Sequence, residues 1–249
     1  MDRFRTIAIS DIHGCSRELG ELLQKVGYRP GEDRLILLGD YVDRGPDSCG
    51  VIDAVMALLR EGGGRATALR GNHDQRFLQC LRHPEPELLD KFLGQGGHET
   101  LRSYARAAGT EYRGAADASG VLRLIRTEFK EHVELLDSLD LHAEDEAFIY
   151  VHAGIDPAAG SSWKDQPREL FMWIREPFHH APVTAGKTVV FGHTRTIKFQ
   201  KEPSVWFGGD KIGIDGGCSA GGRLNALLID AAGGVSEDAV NAGESPAGR

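Results

Sequence analysis

Cysteine is sparse in this chain and never paired at short range: Cys15, Cys49, Cys80 and Cys218 stand apart, with no C-x-x-C spacing. That argues against a zinc knuckle, a thioredoxin-type motif and a disulfide framework, and predicts four reduced thiols acting as small packing residues. Long apolar runs are also missing. No stretch approaches the roughly 18 residues a spanning helix needs, and no basic-then-apolar segment opens the chain, so a cytoplasmic protein is expected. Positive charge is in deficit, 29 Lys and Arg against 37 Asp and Glu for a net charge of −8. Neither nucleic acid nor an anionic membrane is therefore an expected partner, although a local positive pocket could still receive a phosphate. There is no internal repeat, and the oligomeric state is not readable.

What the 249 residues do contain is a set of five short apolar runs, each ending on a residue able to bind a metal. Ile7–Ile9 leads into Ser10-Asp11-Ile12-His13-Gly14, Leu35–Leu38 into Gly39-Asp40, and Thr67–Leu69 into Arg70-Gly71-Asn72-His73-Asp74. Phe148–Val151 leads into His152-Ala153-Gly154 and Val189–Phe191 into Gly192-His193-Thr194. Such runs read as buried strands, and in open α/β sheets the crevice beyond the strands' carboxyl ends is where sites are built. Between the first three runs lie stretches of helical period (Leu19, Leu22, Leu23, Val26; then Val51, Ile52, Val55, Met56, Leu59). Successive βα units predict parallel strands with right-handed crossovers.

The expected architecture is an α/β two-sheet sandwich flanked by helices. It forms a single domain over residues 1–232, with a helical insertion at about 83–140 whose plain role is packing. The later strand-like runs, Val205–Phe207, Ile212–Ile214 and Leu224–Ile229 among them, predict a second, largely antiparallel sheet. Residues 233–249 hold almost no large apolar side chains and predict a flexible tail.

Asp11 and His13, two apart at a strand end, are expected to turn to one side of the crevice and share a metal. Asp40 can bridge with its two oxygens, while Asn72, His152 and His193 add neutral donors; the mixture suits Mn, and also Fe or Zn, better than calcium. Two divalent cations so placed would share a water, lower its pKa and clamp a phosphoryl group, which makes hydrolysis the expected reaction. His73 is the candidate general acid, with Asp43 to orient its ring and hold it protonated. Arg44 can grip phosphate oxygens bidentately. Each residue alone has a structural explanation; coincidence at five strand ends does not. Other signals are discounted: the G-x-S-x-G match at Ser219 lacks a following His, Asp215-Gly216-Gly217 reads as a hairpin turn, His179-His180 as a solvated loop pair, and Trp163, Trp173 and Trp206 as packing.

These loops resemble those of the PPP-type metallophosphatases of the calcineurin-like phosphoesterase superfamily, in particular the small bacterial and phage serine/threonine phosphatases. The matching stretches are Asp11-Ile12-His13-Gly14, Gly39-Asp40-Tyr41-Val42-Asp43-Arg44-Gly45, Gly71-Asn72-His73-Asp74, His152-Ala153-Gly154 and Gly192-His193. The resemblance implies that Asp11, His13 and Asp40 hold one metal and Asp40, Asn72, His152 and His193 the other. It also implies that His73 and Asp43 form an acid dyad, that Arg44 and Asn72 meet the phosphate, and that Arg175 is the second phosphate-binding arginine. Asp74 departs from the Glu usual in eukaryotic members. Phosphoserine and phosphothreonine in proteins are the leading expected substrates. The alternative is a symmetrical bis(5'-nucleosyl)-tetraphosphatase, a branch that tends to carry Ala where this chain has Asp43. A non-catalytic protein recognising phosphorylated partners is a further class.

Overall fold

Alternation inside the short strands decides how the layers stack. In β1 (Thr6–Ile9) and β2 (Arg34–Leu37), Ile7, Ile9, Leu35 and Leu37 pack into one apolar cluster while Ala8 and Ile36 pack into another. The same happens in β5 (Phe148–Val151) and β6 (Thr188–Phe191), where Tyr150 and Val190 turn toward the cluster of Ala8 and Ile36, and Ile149, Val151, Val189 and Phe191 turn away from it. Strands apolar on both faces must be covered on both faces. In the computed structural model, which describes residues 4–243, the result is two sheets packed face to face with helical cover outside each.

With β3 (Ala66–Ala68), β4 (His142–Glu144), β7 (Trp206–Phe207), β8 (Lys211–Gly213), β9 (Arg223–Ile229) and β10 (Val235–Asn241), the sheet orders are β10-β9-β1-β2-β3 and β4-β5-β6-β8-β7. Strands β1, β2 and β3 run parallel, joined by α1 (Ser16–Lys25) and α2 (Ser48–Glu61). The expected insertion is helical: α3 (Asn72–Arg82) is followed by α4 (Pro86–Phe92), a π turn at Leu93–Gly97, α5 (His98–Ala107), α6 (Ala118–Glu128) and α7 (Lys130–Ser138). Their apolar faces close the outer side of the first sheet, and α8 (Arg168–Trp173) covers the second. No described helix is long and apolar enough to cross a membrane.

Three expectations are corrected. The second sheet is not largely antiparallel, since β5, β6 and β8 are mutually parallel and only its edges β4 and β7 run the other way. Leu224–Ile229 belongs to the first sheet, antiparallel to β1, so Gly216-Gly217 makes no hairpin but carries the chain from one sheet to the other. Val235–Asn241, read as tail, pairs with all seven residues of β9. Backbone hydrogen bonds rather than side-chain burial hold this edge strand, helped by the Lys25–Asp238 and Arg223–Glu237 ion pairs. The remainder of the expected tail, 244–249, lies outside the described residues.

Candidate dimetal site

The carboxyl ends of β1, β2, β3, β5, β6 and β8 open on one edge of the sandwich, and the loops there are bent hard. Asp11, His13, Asp40, Asp43, Arg44 and His193 are all the non-glycine residues with positive φ among those described, between 44° and 71°. Left-handed backbone is uncommon for such residues and gathers at functional sites where surrounding structure enforces it. The convergence of Asp11 and His13 thus comes from this turn, not from the extended alternation expected of a strand end.

Close backbone approach does part of the enforcing. A Cβ on Gly71 would lie 2.1 Å from Asp40 Oδ1, and one on Gly192 2.2 Å from Asp11 Oδ2, so only glycine lets these loops touch. Asp74 does the rest. Its carboxylate accepts from the backbone N–H of Gly71 (2.9 Å), Asp40 (2.7 Å) and Tyr41 (2.9 Å), tying the loop after β2 to that after β3.

Within this frame Asp40 Oδ1 accepts the His73 N–H at 2.9 Å, leaving Oδ2 between two imidazoles, 3.4 Å from His13 Nε2 and 3.5 Å from His152 Nε2. His13 Nδ1 lies 2.6 Å from Val42 O and His152 Nδ1 2.9 Å from Leu38 O. A carbonyl only accepts, so each Nδ1 carries the proton and each Nε2 turns a lone pair inward, the tautomer a metal-binding imidazole needs. His152 Nε2 then faces only acceptors, Asp40 Oδ2 and, at 3.0 Å, Asn72 Oδ1. Asn72 Oδ1 also lies 2.8 Å from His193 Nδ1, and buried His193 Nε2 has no partner among the described residues. Asp11 accepts from the His193 N–H at 2.9 Å and from the Ser10 hydroxyl, and its Oδ1 is 4.0 Å from His13 Nε2.

Charge and solvation agree with this donor set. Burial, then the guanidinium of Arg44, pushes His13 far below the usual imidazole range, and burial also lowers His152 and His193, so all three rings are neutral. Burial raises Asp40, with Asp11 and Asp74 adding repulsion that a cation would relieve. Arg44 shows what such a site attracts: its guanidinium spans His13 Nε2 at 2.6 Å and His73 Nε2 at 2.7 Å. Converging lone pairs and crowded carboxylates fit divalent cations.

His73 Nδ1 lies 2.6 Å from Asp43 Oδ2, and Thr100 donates to Asp43 Oδ1 at 2.8 Å while accepting the Asp43 N–H at 2.8 Å. Burial, followed by Arg44 and Arg76, depresses His73 to about 2, and burial lifts Asp43 to about 7. With Arg44 donating to Nε2, His73 is neutral in this state; Asp43 orients the ring but does not hold it protonated. Arg175 stands at the rim, its Nε 3.3 Å from Thr194 Oγ1, and lines a cavity of about 670 Å³ with His13, Arg44 and His193.

Sequence reasoning missed several residues here. Thr100 comes from the insertion assigned to packing, and Gly96 of the same insertion accepts the Arg44 N–H at 3.1 Å. Asp215 follows β8, a sixth apolar run ending on an acid, and lines the cavity. Buried His179 lines it too, against Phe191 and Phe199, instead of sitting in solvent with His180. Arg76, one turn beyond His73, is buried beneath half-exposed Trp173, 5.0 Å from its ring centre. The i+3 spacing from His73 was the available signal.

The family model described as calcineurin-like phosphoesterase matches residues 4–211. A curated relative, an asymmetrical bis(5'-nucleosyl)-tetraphosphatase of Anoxybacillus flavithermus, is 31% identical over 88% of each chain. A serine/threonine-protein phosphatase 1 of Salmonella typhimurium is 29% identical over 89% of this chain and 90% of its own. Among solved structures, a protein serine/threonine phosphatase of Saccharomyces cerevisiae superposes with a TM-score of 0.66 at 17% identity, covering 98% of this chain and 82% of that one.

Proposed function

The chain belongs to the calcineurin-like phosphoesterase family of metal-dependent phosphoesterases, and we propose that it removes phosphate from phosphoserine and phosphothreonine in proteins. One observation carries this reading: the His73–Asp43 pair, 2.6 Å apart in the interior with Thr100 on the second carboxylate oxygen. The alkoxide leaving from a phosphoseryl group needs a proton, whereas the phosphate leaving from an anhydride departs without one. A dyad braced on both carboxylate oxygens is machinery for the ester.

Asp11, His13 and Asp40 would hold one cation, and Asp40, Asn72, His152 and His193 the other, with manganese the proposed occupant. When bound, such a pair supplies Lewis-acid stabilisation of phosphoryl charge and an activated water. Arg44 transfers its two N–H groups from His13 and His73 to phosphate oxygens, a bidentate exchange that offers a better acceptor. That exchange uncovers His73 Nε2, and the arriving dianion offsets the guanidinium charge that adds to burial in keeping the ring neutral. His73 then takes up a proton from solvent at Nε2 and passes it to the leaving oxygen, while Nδ1–H stays on Asp43 and fixes the ring. Arg175 reaches the same phosphate from the rim.

A second reading, hydrolysis of dinucleoside polyphosphates, is favoured by Arg195 and Lys198. Both are exposed and line the catalytic cavity. They are more positive charge than a single phosphoryl group uses, and several curated relatives are tetraphosphatases by name, symmetrical and asymmetrical. Mn-loaded enzyme offered a phosphoserine peptide and diadenosine tetraphosphate in parallel separates the readings. The expected result is a higher kcat/KM for the peptide; a preference for the dinucleotide of about tenfold or more, worth about 1.4 kcal/mol, transfers the assignment.

A further inference from the structure

Outside the catalytic centre, a second cluster of ligand-type side chains lies against the cavity next to it. Sγ of Cys15, a carboxylate oxygen of Glu18 and Sγ of Cys218 all lie within 4.8 Å of one another. Three turns of structure assemble them. Cys15 ends the loop that carries Asp11 and His13, Glu18 follows on the first turn of α1, and Cys218 opens the 3-10 turn Cys218–Ala220 just after Asp215. Spacing of i and i+3 puts Cys15 and Glu18 on one side of the helix start, and the switch from second to first sheet delivers Cys218 opposite.

Cys15 is an odd choice where it stands. It is the N-cap of α1, a position that favours Ser, Thr, Asn or Asp for the hydrogen bond they give, and its side chain makes no capping bond. The thiol instead donates to His13 O at 3.7 Å and faces Cys218 Sγ. Glu18 accepts from Arg17 (2.8 Å) and from the Gly243 N–H (3.0 Å) on Oε1 in both cases.

We propose that Cys15, Glu18 and Cys218 form a further metal site, separate from the dimetal centre and selective for a thiophilic divalent cation of the zinc class. Two sulfurs and one carboxylate oxygen suit zinc over magnesium, calcium or manganese. A tetrahedral zinc shell with Zn–S near 2.3 Å has edges of about 3.8 Å, within the observed spread. All three side chains line a cavity of about 940 Å³ that also meets Arg44 and Ser219, and both of these line the catalytic cavity. An ion there would join the loop bearing His13 to the turn after Asp215 without using any ligand of the catalytic pair.

Cobalt reports on sulfur ligation directly, because the dimetal centre contains no cysteine. The full chain, stripped of metal and kept under a non-coordinating reductant so that no disulfide hides the thiols, is titrated with Co²⁺. A thiolate-to-cobalt charge-transfer band should grow and saturate within the three equivalents per chain that this site and the dimetal centre together take up, at an intensity matching one sulfur-ligated ion, and be bleached by Zn²⁺. It should persist in Asp40→Asn, disappear in Cys15→Ser and Cys218→Ser, and shift to higher cobalt in Glu18→Gln, whose side chain lies at the edge of the core. Circular dichroism verifies that each variant is folded. Absence of the band in folded wild type, its survival in folded Cys218→Ser, or its loss in Asp40→Asn would overturn the site.

Discussion

The two sheets meet at one edge but equip it differently. From the first come Asp11, His13, Asp40 and Asp43, each no more than 3% exposed, all with left-handed backbone, and bound to neighbouring loops through Asp74, Thr100 and glycine contacts. From the second come His152 and His193, together with a fringe of exposed side chains on irregular segments, Arg175, Arg195 and Lys198, whose heads face the cavity. A strained loop residue costs of order 1–3 kcal/mol and endures only where its surroundings over-determine it. The contrast teaches that the chemistry is pre-organised on rigid ground, while recognition is left to loops that can change without disturbing it.

The hardest test of that contrast is Asp40→Asn. The amide keeps the shape but removes the charge of the one oxygen placed between His13 and His152. Loss of several kcal/mol of charge stabilisation corresponds to about a 10³-fold fall in turnover, with metal content falling in parallel by elemental analysis. Full metal content and near-wild-type rate would end the assignment of Asp40 as the shared ligand.

Next in size is Asp43→Asn, read on two leaving groups. General acid catalysis contributes roughly 10²–10⁴-fold, so alkyl phosphate hydrolysis should drop by about that much. Aryl phosphate, whose phenolate needs little protonation, should drop far less. Thr100→Val removes the hydroxyl that donates to the Asp43 carboxylate and accepts from the Asp43 backbone N–H. It should move the alkyl-to-aryl ratio in the same direction by a smaller amount, on the order of the 1 kcal/mol of a hydrogen bond. Equal losses on both esters would take His73 and Asp43 out of leaving-group protonation.

The parallel part of the first sheet, β1 to β3, was also the more legible region, and the reason is physical. Ile7–Ile9 and Leu35–Leu38 are local signals, since an apolar run with helical period after it specifies a parallel βα unit within a few residues. Partner choice is not local. Whether Leu224–Ile229 joins β1 or β8 depends on a chain crossing between sheets, which no periodicity records. Hydropathy likewise misses β10, where Ser236, Glu237 and Asp238 pair through backbone while their side chains stay polar. At the site, the strand-end residues could be read because they combine chemistry with position. Thr100 could not, because a threonine on an amphipathic helix looks like any other until the insertion folds back over Asp43. Asp215 was visible as an acid after an apolar run, but the Asp-Gly pair concealed it as turn chemistry.

On the recognition side, the double change of Arg195 and Lys198 to Ala sharpens the comparison. Both are exposed and line the cavity, and neither touches the metal-ligand set. KM for diadenosine tetraphosphate should rise by about tenfold, the scale of two exposed charges at roughly 0.2–1 kcal/mol each, with kcat for a phosphoserine peptide unchanged. A matching fall in kcat on both substrates would show that the fringe is part of the chemical machinery and erase the division.

The smallest effect lies at the far edge of the second sheet, where exposed ion pairs replace buried hydrogen bonds. Glu144 on β4 accepts from Lys164 and, at 2.7 Å, from Lys187, and these two ammonium groups hold its carboxyl down to about 2 from an ordinary 4.5. A carboxyl depressed on folding contributes stability that is complete above its unfolded pKa and is lost as pH falls through the folded one. The stability difference between wild type and Glu144→Gln should therefore be flat at neutral pH and shrink between about 4.5 and about 2. Solvent screening limits it to roughly 0.2–1 kcal/mol, and added salt should reduce it further. Urea unfolding of both proteins across that pH range measures it. A difference that instead grew on acidification would mean that the lysines do not hold the carboxylate, and that this edge of the second sheet is secured by packing, as the first sheet is.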